Sequence, residues 1–300
     1  MIGVLLSYHG TVSNVDDVPE FVRNIRHGQP APAEVVDEVR RRLEYIGGSP
    51  LTRIAEAQAR ALEVRLGMPV RIAARLWHPY AKDVLPELAA LGVTTLVSLP
   101  LAPQSVGIYH PGVEAAASEH GMRVLRAASW GHEPRLIEAF VEAVTEAASH
   151  FAVEREALAV VLSAHSLPRR VIAAGDGYES EFRAMADSVG RALVSAGFSA
   201  NSMRVAFQSQ GMGSRDAWLG PDLESTFSEL ASTHRQLLIA PIGFVTEHVE
   251  TLYDIDVEAR GFAEKFGFTG FGRMPALDTR PRFIDALEAV ARRTLDSAAP

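Results

Sequence analysis

Val160-Val161-Leu162-Ser163-Ala164-His165-Ser166 is an uncharged run that closes on a histidine. Val4-Leu5-Leu6-Ser7-Tyr8-His9-Gly10 repeats its pattern in the first half of the chain. Apolar runs this short, with no alternation of polar residues, read as strands buried on both faces of a parallel sheet. Two further matches follow in the same order. Val70-Arg71-Ile72-Ala73 pairs with Met203-Arg204-Val205-Ala206, and Leu99-Pro100-Leu101 pairs with Ala240-Pro241-Ile242. The offsets drift through 156, 133 and 141 residues, as insertions in connecting segments would cause.

Eight strand candidates alternate with longer amphipathic stretches: residues 4–7, 70–76, 95–101, 123–127, 157–163, 203–208, 237–242 and 268–272. That alternation predicts an α/β fold of two similar Rossmann-like, doubly wound domains with four-stranded parallel sheets, spanning residues 1–150 and 151–300. Ser49-Pro50 predicts a helix start, with Ser49 as cap and Gly67 as its end, and Pro134 opens another helix that runs toward His150. Ligands in such sheets sit beyond the carboxyl ends of the strands. His9 and His165 both fall there.

Composition narrows the chemistry. The chain has 300 residues, 47% hydrophobic and 22% charged, with net charge −8. That is the profile of an ordinary globular protein, and the acidic balance argues against nucleic acid as partner. Its 29 basic residues include only two lysines, Lys82 and Lys265. Zero cysteine excludes disulfides, thiolate zinc sites, a thiol nucleophile and a cysteine-held iron–sulfur cluster. Any metal chemistry therefore runs on histidine, carboxylate and hydroxyl groups. No basic region precedes the apolar N-terminus, and the uncharged stretch from Leu88 to Val113 carries Pro100, Pro103 and Pro111. A cytoplasmic protein is expected.

A lone histidine is ordinarily a packed or surface polar residue. At a strand tip, and mirrored in the other half, His165 is a candidate metal ligand or proton acceptor. Glu247-His248-Val249-Glu250-Thr251-Leu252-Tyr253-Asp254-Ile255-Asp256-Val257-Glu258 holds five acids and no lysine or arginine. On an α-helix Glu250, Asp254 and Glu258 would stack on one face over about 12 Å. A solvated acidic face is one reading. The interleaved Val249, Leu252, Tyr253 and Val257 favour a partly buried file of oxygen ligands for a divalent cation or protons.

Weaker features are Gly47-Gly48-Ser49-Pro50, which suits a carboxylate at a helix start or simply a capped loop, and Arg26, Arg41 and Arg42, which could grip carboxylates. Asp216-Ala217-Trp218-Leu219-Gly220-Pro221 reads as a packed turn. Gly211-Met212-Gly213 lacks the third glycine of a dinucleotide fingerprint.

Several of these pieces together resemble the ferrochelatases, which insert ferrous iron into a porphyrin in haem synthesis. They are Leu162-Ser163-Ala164-His165-Ser166-Leu167-Pro168, Gln208-Ser209-Gln210, Trp218-Leu219-Gly220-Pro221-Asp222, and Pro241-Ile242-Gly243-Phe244 leading to His248-Val249-Glu250-Thr251-Leu252-Tyr253-Asp254. Ile25-Arg26-His27-Gly28 and Tyr45-Ile46-Gly47-Gly48-Ser49-Pro50-Leu51 add the first half. The resemblance implies a porphyrin cleft between two domains, with His165 and Glu250 catalytic and at the inner metal site. Asp254 and Glu258 would continue outward as a second cation site or proton path.

Similarity to the bacterial coproporphyrin enzymes implies that Arg26, Arg42, Ser49 and Tyr109 hold propionates or the macrocycle. His9 stands where those enzymes commonly carry tyrosine, and Leu43 replaces the tyrosine that follows Arg42. The family reading implies Fe2+ as a substrate, no permanently bound cofactor, coproporphyrin III slightly favoured over protoporphyrin IX, and a monomer. Residues 98–109 are a candidate lip for transient contact with a membrane or a haem-pathway enzyme. A sirohydrochlorin or cobalt chelatase, kept open by the His9/His165 pair, and a non-catalytic haem or metal carrier are the alternatives.

Overall fold

A computed structural model describes residues 1–210 and 217–298. The chain divides into two compact units, Met1–Glu133 with Asp278–Pro300, and Pro134–Leu277. The first unit contains β1 (Ile2–Tyr8), α1 (Val18–Ile25), α2 (Ala33–Tyr45), α3 (Leu51–Leu66), β2 (Val70–Ala74), α4 (Ala81–Ala90), β3 (Thr95–Pro100), α5 (His110–Ser118) and β4 (Arg123–Arg126). The second contains α6 (Pro134–Ala148), β5 (Ala159–His165), α7 (Arg169–Ala173), α8 (Tyr178–Ser195), β6 (Met203–Gln208), α9 (Leu223–Leu230) and β7 (Gln236–Ala240). It continues with a π-helix (Glu250–Ala259), α10 (Arg260–Lys265) and β8 (Gly270–Arg273), and α11 (Pro281–Asp296) then returns to the first unit.

Each unit is built on a four-stranded sheet with all pairs parallel, in the orders β2-β1-β3-β4 and β6-β5-β7-β8. The residues that match between the halves occupy equivalent register. Val4 pairs with Val70 and Leu6 with Leu99, while Val160 pairs with Met203 and Leu162 with Ala240. The drifting offsets thus reflect connections of unequal length between strands that align alike. β1 and β5 are central and buried on both faces, which is why neither alternates.

Helices cover both faces of each sheet. In the first unit α4 and α5 pack together on one face while α3 and α11 share the other. Leu5, Ala73, Leu85, Leu96, Val113 and Ala116 form the core under α4 and α5. In the second, α6 packs on α8 and β7, and α9 and α10 close a core of Val161, Ala206, Phe227, Ile239 and Ile255.

The expected division at residue 150 fails at two helices. The helix after β4, α6, buries Leu136, Phe140 and Val144 in the second unit. The helix after β8, α11, buries Phe283, Leu287 and Val290 in the first, where the Phe283 ring lies 6.3 Å from that of Trp130. An amphipathic stripe specifies that a face is buried, not which sheet buries it. The expected cap also shifts: Pro50 is the N-cap of α3, and the Leu51 N–H lies 3.5 Å from Ser49 Oγ. Within residues 98–109, the expected lip, only Gly107 and Ile108 are exposed. Among the described residues no helix is long and apolar enough to cross a membrane.

His110 ties β3 to the exit of β4. Its Nε2–H donates to the Ala127 carbonyl at 3.0 Å, so Nδ1 accepts the Ser98 hydroxyl at 2.9 Å. The neutral ring satisfies both partners, and burial holds its pKa below the usual histidine range.

Two outcomes follow for stability. Leu287→Ala, in a fully buried site, lowers stability by about 2–5 kcal/mol, whereas Val64→Ala, 84% exposed, leaves the denaturation midpoint in place. His110 has a depressed folded pKa, so its contribution is present above the unfolded value and is lost as pH falls toward the folded one. Denaturation of wild type and His110→Gln between pH 7 and about pH 5 shows the wild type losing more stability. Equal slopes would show that His110 is not the linked group.

Candidate metal and proton site

The second unit gathers its functional side chains at the carboxyl end of β5. His165 is the last residue of that strand and pairs with Gln208 at the end of β6. Beyond it the chain turns sharply. The Ser166 N–H donates to the Gln208 carbonyl at 2.7 Å and its hydroxyl donates to the Leu219 carbonyl at 3.0 Å. Leu167-Pro168-Arg169 then lies antiparallel to Ala217-Trp218-Leu219, with Leu219 N–H to Leu167 O at 2.9 Å and Arg169 N–H to Ala217 O at 2.7 Å. The expected packed turn is thus a clasp that fixes the strand end. Asp216 and Gly211-Met212-Gly213 lie outside the described residues.

His165 Nδ1 stands 3.1 Å from Glu250 Oε2, and each side chain keeps about a third of its surface open, 31% and 33%. A carboxylate has no proton to give, so Nδ1 carries the hydrogen and Nε2 presents its lone pair. Burial pulls the imidazole pKa down, but the charge and hydrogen bond of Glu250, helped by Asp254, outweigh it and raise the pKa overall. The pair is a basic imidazole oriented by an anion, an arrangement that serves metal ligation and proton uptake alike. The Tyr178 hydroxyl donates to the His165 carbonyl at 2.9 Å, and burial keeps that phenol protonated.

Glu250 is delivered by the connection after β7. The Gly243 N–H donates to the Ser163 carbonyl at 3.0 Å, and a Cβ on Gly243 would lie 2.4 Å from the Ala164 Cβ and 2.7 Å from its Cα. The connection therefore crosses β5 one residue from His165, at a distance only glycine allows. His248 follows, its ring edge-on to Phe244 at 4.4 Å, its Nδ1 accepting the Glu250 N–H at 3.1 Å. Burial lowers the His248 pKa, consistent with a neutral acceptor.

The acidic segment is a π-helix rather than the expected α-helix. Its i→i+5 hydrogen bonds give more than four residues per turn, and such segments concentrate at functional sites. The five acids divide into two sets. Arg273 grips Asp256 with Nε and Nη2, both at 2.9 Å, and Glu247 with Nη1 at 2.7 Å. Glu247 also accepts from the Thr251 hydroxyl at 2.5 Å and the Ala276 N–H at 2.9 Å. Burial alone would raise the Glu247 pKa, but Arg273 and these donors hold it low. Glu247 and Asp256 are structural anchors.

Asp254 is buried and accepts a hydrogen bond from the Ser209 hydroxyl. Ser209 adopts φ 61°, a left-handed conformation that costs a non-glycine residue about 1–2 kcal/mol, and it does so at the exit of β6. Glu258 lies one further step along the π-helix, half-buried. Among the described residues no group of three or more histidine, aspartate or glutamate side chains converges as a metal cage. His165 and Glu250 thus stand as a pair, with Asp254 and Glu258 further along the π-helix. Ser209 draws Asp254, and the helical rise separates the rest.

The other expected residues lie in the first unit. His9 is exposed just beyond β1. Arg26 donates from Nε to the Pro30 carbonyl at 3.1 Å, and Arg42 Nε lies 2.6 Å from Glu38 Oε1, so both guanidinium groups are already engaged. Ser49 sits at the start of α3, and Tyr109 is buried, its phenol pushed up to about 12 by burial against a partial offset from Arg75. Ser209, Tyr178, His248 and Arg273 were not singled out for these roles in the sequence. Ser209 and His248 carry a sequence signal, their places in Gln208-Ser209-Gln210 and in His248-Val249-Glu250-Thr251-Leu252-Tyr253-Asp254.

A family model described as Ferrochelatase matches residues 1–295. The chain is 36% identical to the ferrochelatase of Acidobacterium capsulatum, over 98% of this chain and 94% of that protein. It is 33% identical to the coproporphyrin III ferrochelatase of Geobacillus thermodenitrificans, over 98% and 96%. In fold it is similar to SirB from Bacillus subtilis with Fe3+, with TM-score 0.60, 14% identity, and 98% of this chain and 95% of that chain covered. CbiX, the terminal enzyme of sirohaem biosynthesis in denitrifying bacteria, gives TM-score 0.59 at 14% identity, covering 99% and 100%. The chain belongs to the ferrochelatase family.

Proposed function

We propose that this chain inserts ferrous iron into a porphyrin, with coproporphyrin III favoured over protoporphyrin IX. The observation that carries the proposal is the His165–Glu250 hydrogen bond at the strand tip of a chain that the family model spans. Curated relatives named coproporphyrin III ferrochelatases support the choice of porphyrin.

The reaction exchanges two pyrrole N–H protons for one Fe2+. A flat free-base macrocycle points those hydrogens into the hole the metal enters. Binding energy from the periphery can hold the ring bent, which turns a nitrogen lone pair toward the metal. His165 Nε2 takes a proton from the ring, and the Glu250 carboxylate at Nδ1 stabilises the imidazolium. Release toward Asp254, Glu258 and water readies the imidazole for the second proton.

The same pair meets iron in transit. One nitrogen and one carboxylate leave coordination positions for the four ring nitrogens, whereas a closed cage would retain the metal. Arg26 and Arg42 take propionates by exchanging their present partners, Pro30 O and Glu38, and Ser49 and His9 complete the contacts.

In an anaerobic assay, His165→Ala lowers insertion by at least about 100-fold while porphyrin binding, read by fluorescence quenching, is unchanged. Glu250→Gln keeps an acceptor for Nδ1–H but removes the charge, and turns over at an intermediate rate. Full turnover in His165→Ala would remove His165 from the mechanism. Preference for an octacarboxylate tetrapyrrole would favour a sirohydrochlorin chelatase, and tight retention of haem without turnover would favour a carrier.

A further inference from the structure

Gln208 closes β6 directly opposite His165, and its side chain is 3% exposed. The Ser163 hydroxyl donates to its Oε1 at 2.8 Å, while its Nε2 has no hydrogen-bond partner among the described residues. A buried amide donor left open is costly, and native proteins seldom leave one without a water or a ligand.

Strand alternation fixes the face on which this amide lies. Val161 and Ala206 share a core with Ile255 and Ala259 of the π-helix. Ser163 and His165 follow Val161 by two and four residues, and Gln208 follows Ala206 by two. All three side chains therefore stand on the face that the π-helix covers. Each of two carboxylates there is held by an immediate neighbour of Gln208. Glu250 lies 3.1 Å from His165, the residue opposite, and Asp254 accepts from Ser209, the residue that follows. The Cα atoms involved are about 4.8 Å apart across the ladder and about 3.8 Å along the strand. One water spans that scale, since it bonds at about 3 Å to each partner.

The sign of the open group agrees. A serine hydroxyl can donate or accept, so the amide could meet Ser163 with either end. The anions on this face select Oε1 for Ser163 and leave the donor free, because a second acceptor would repel them. We propose that Gln208 is a positioning residue: its Nε2–H donates to an ordered water, which turns its own hydrogens to the carboxylates of Glu250 and Asp254. So held, Glu250 has less freedom to turn from Nδ1 of His165. The effect on rate rests on the insertion activity proposed above; the water itself does not.

Nuclear Overhauser cross-peaks between water and the Gln208 side-chain amide hydrogens, measured on the full chain without iron, test the water. Cross-peaks to a long-lived bound water are expected. Gln208→Met keeps the length and shape of the side chain and removes the donor; it lowers kcat for iron insertion about tenfold with the KM for porphyrin unchanged. Gln208→Leu stands in if that variant folds poorly. Ser163→Ala keeps the amide, the cross-peaks and most of the turnover. Absence of the cross-peaks overturns the proposal, as does wild-type kcat in Gln208→Met or a change confined to KM. An equal loss in Ser163→Ala would assign the effect to the Ser163–Gln208 bond and also overturn it. A wild type that inserts no iron defeats the proposed function, while the cross-peaks still decide the water.

Discussion

The close approach of Gly243 to Ala164 is the contact on which the site depends. It lets the connection after β7 cross β5 beside His165, so that Glu250 arrives within hydrogen-bond distance of the imidazole. Any side chain at that crossing would push the connection away from the strand by more than the slack of a 3.1 Å hydrogen bond. The rigid partner in this arrangement is the sheet. β5 is central and buried on both faces, and the Ser166 and Tyr178 hydrogen bonds fix the chain directly after the histidine side chain.

Electrostatics then sorts the acids. The Arg273 side chain keeps only 10% of its surface exposed, so its charge must be matched, and Glu247 and Asp256 match it on both sides. A buried pair of this kind does little for net stability but fixes geometry when its hydrogen bonds are complete. Here they are, with Thr251 and Ala276 completing the Glu247 set. The π-helix is therefore held at its entrance and its middle by structural acids, which leaves Glu250 with the imidazole and Asp254 with Ser209. The left-handed Ser209 is the cost of that second placement, met by a hydrogen bond to a buried carboxylate.

Much of this was legible in the sequence where burial writes a local pattern. All eight strands lie where uninterrupted apolar runs placed them, within a few residues, and the matched segments occupy equivalent register. His165 and Glu250 were marked by a strand tip and an acid beside an apolar helix face. The exchange of α6 and α11 was not legible, because amphipathicity names a buried face without naming its partner. Nor was the π-helix, whose acid spacing reads equally as α. The contacts from Ser209 to Asp254 and from Arg273 to its two acids join residues 45, 17 and 26 positions apart, and only the register of the sheet brings them together.

We propose that the pair at the tip of β5 serves metal insertion into a porphyrin. The most direct measurement is anaerobic mixing of the wild-type protein with Fe2+ and either coproporphyrin III or protoporphyrin IX, following loss of free-base fluorescence. Insertion into both is expected, faster with coproporphyrin III. No insertion into either porphyrin would contradict it.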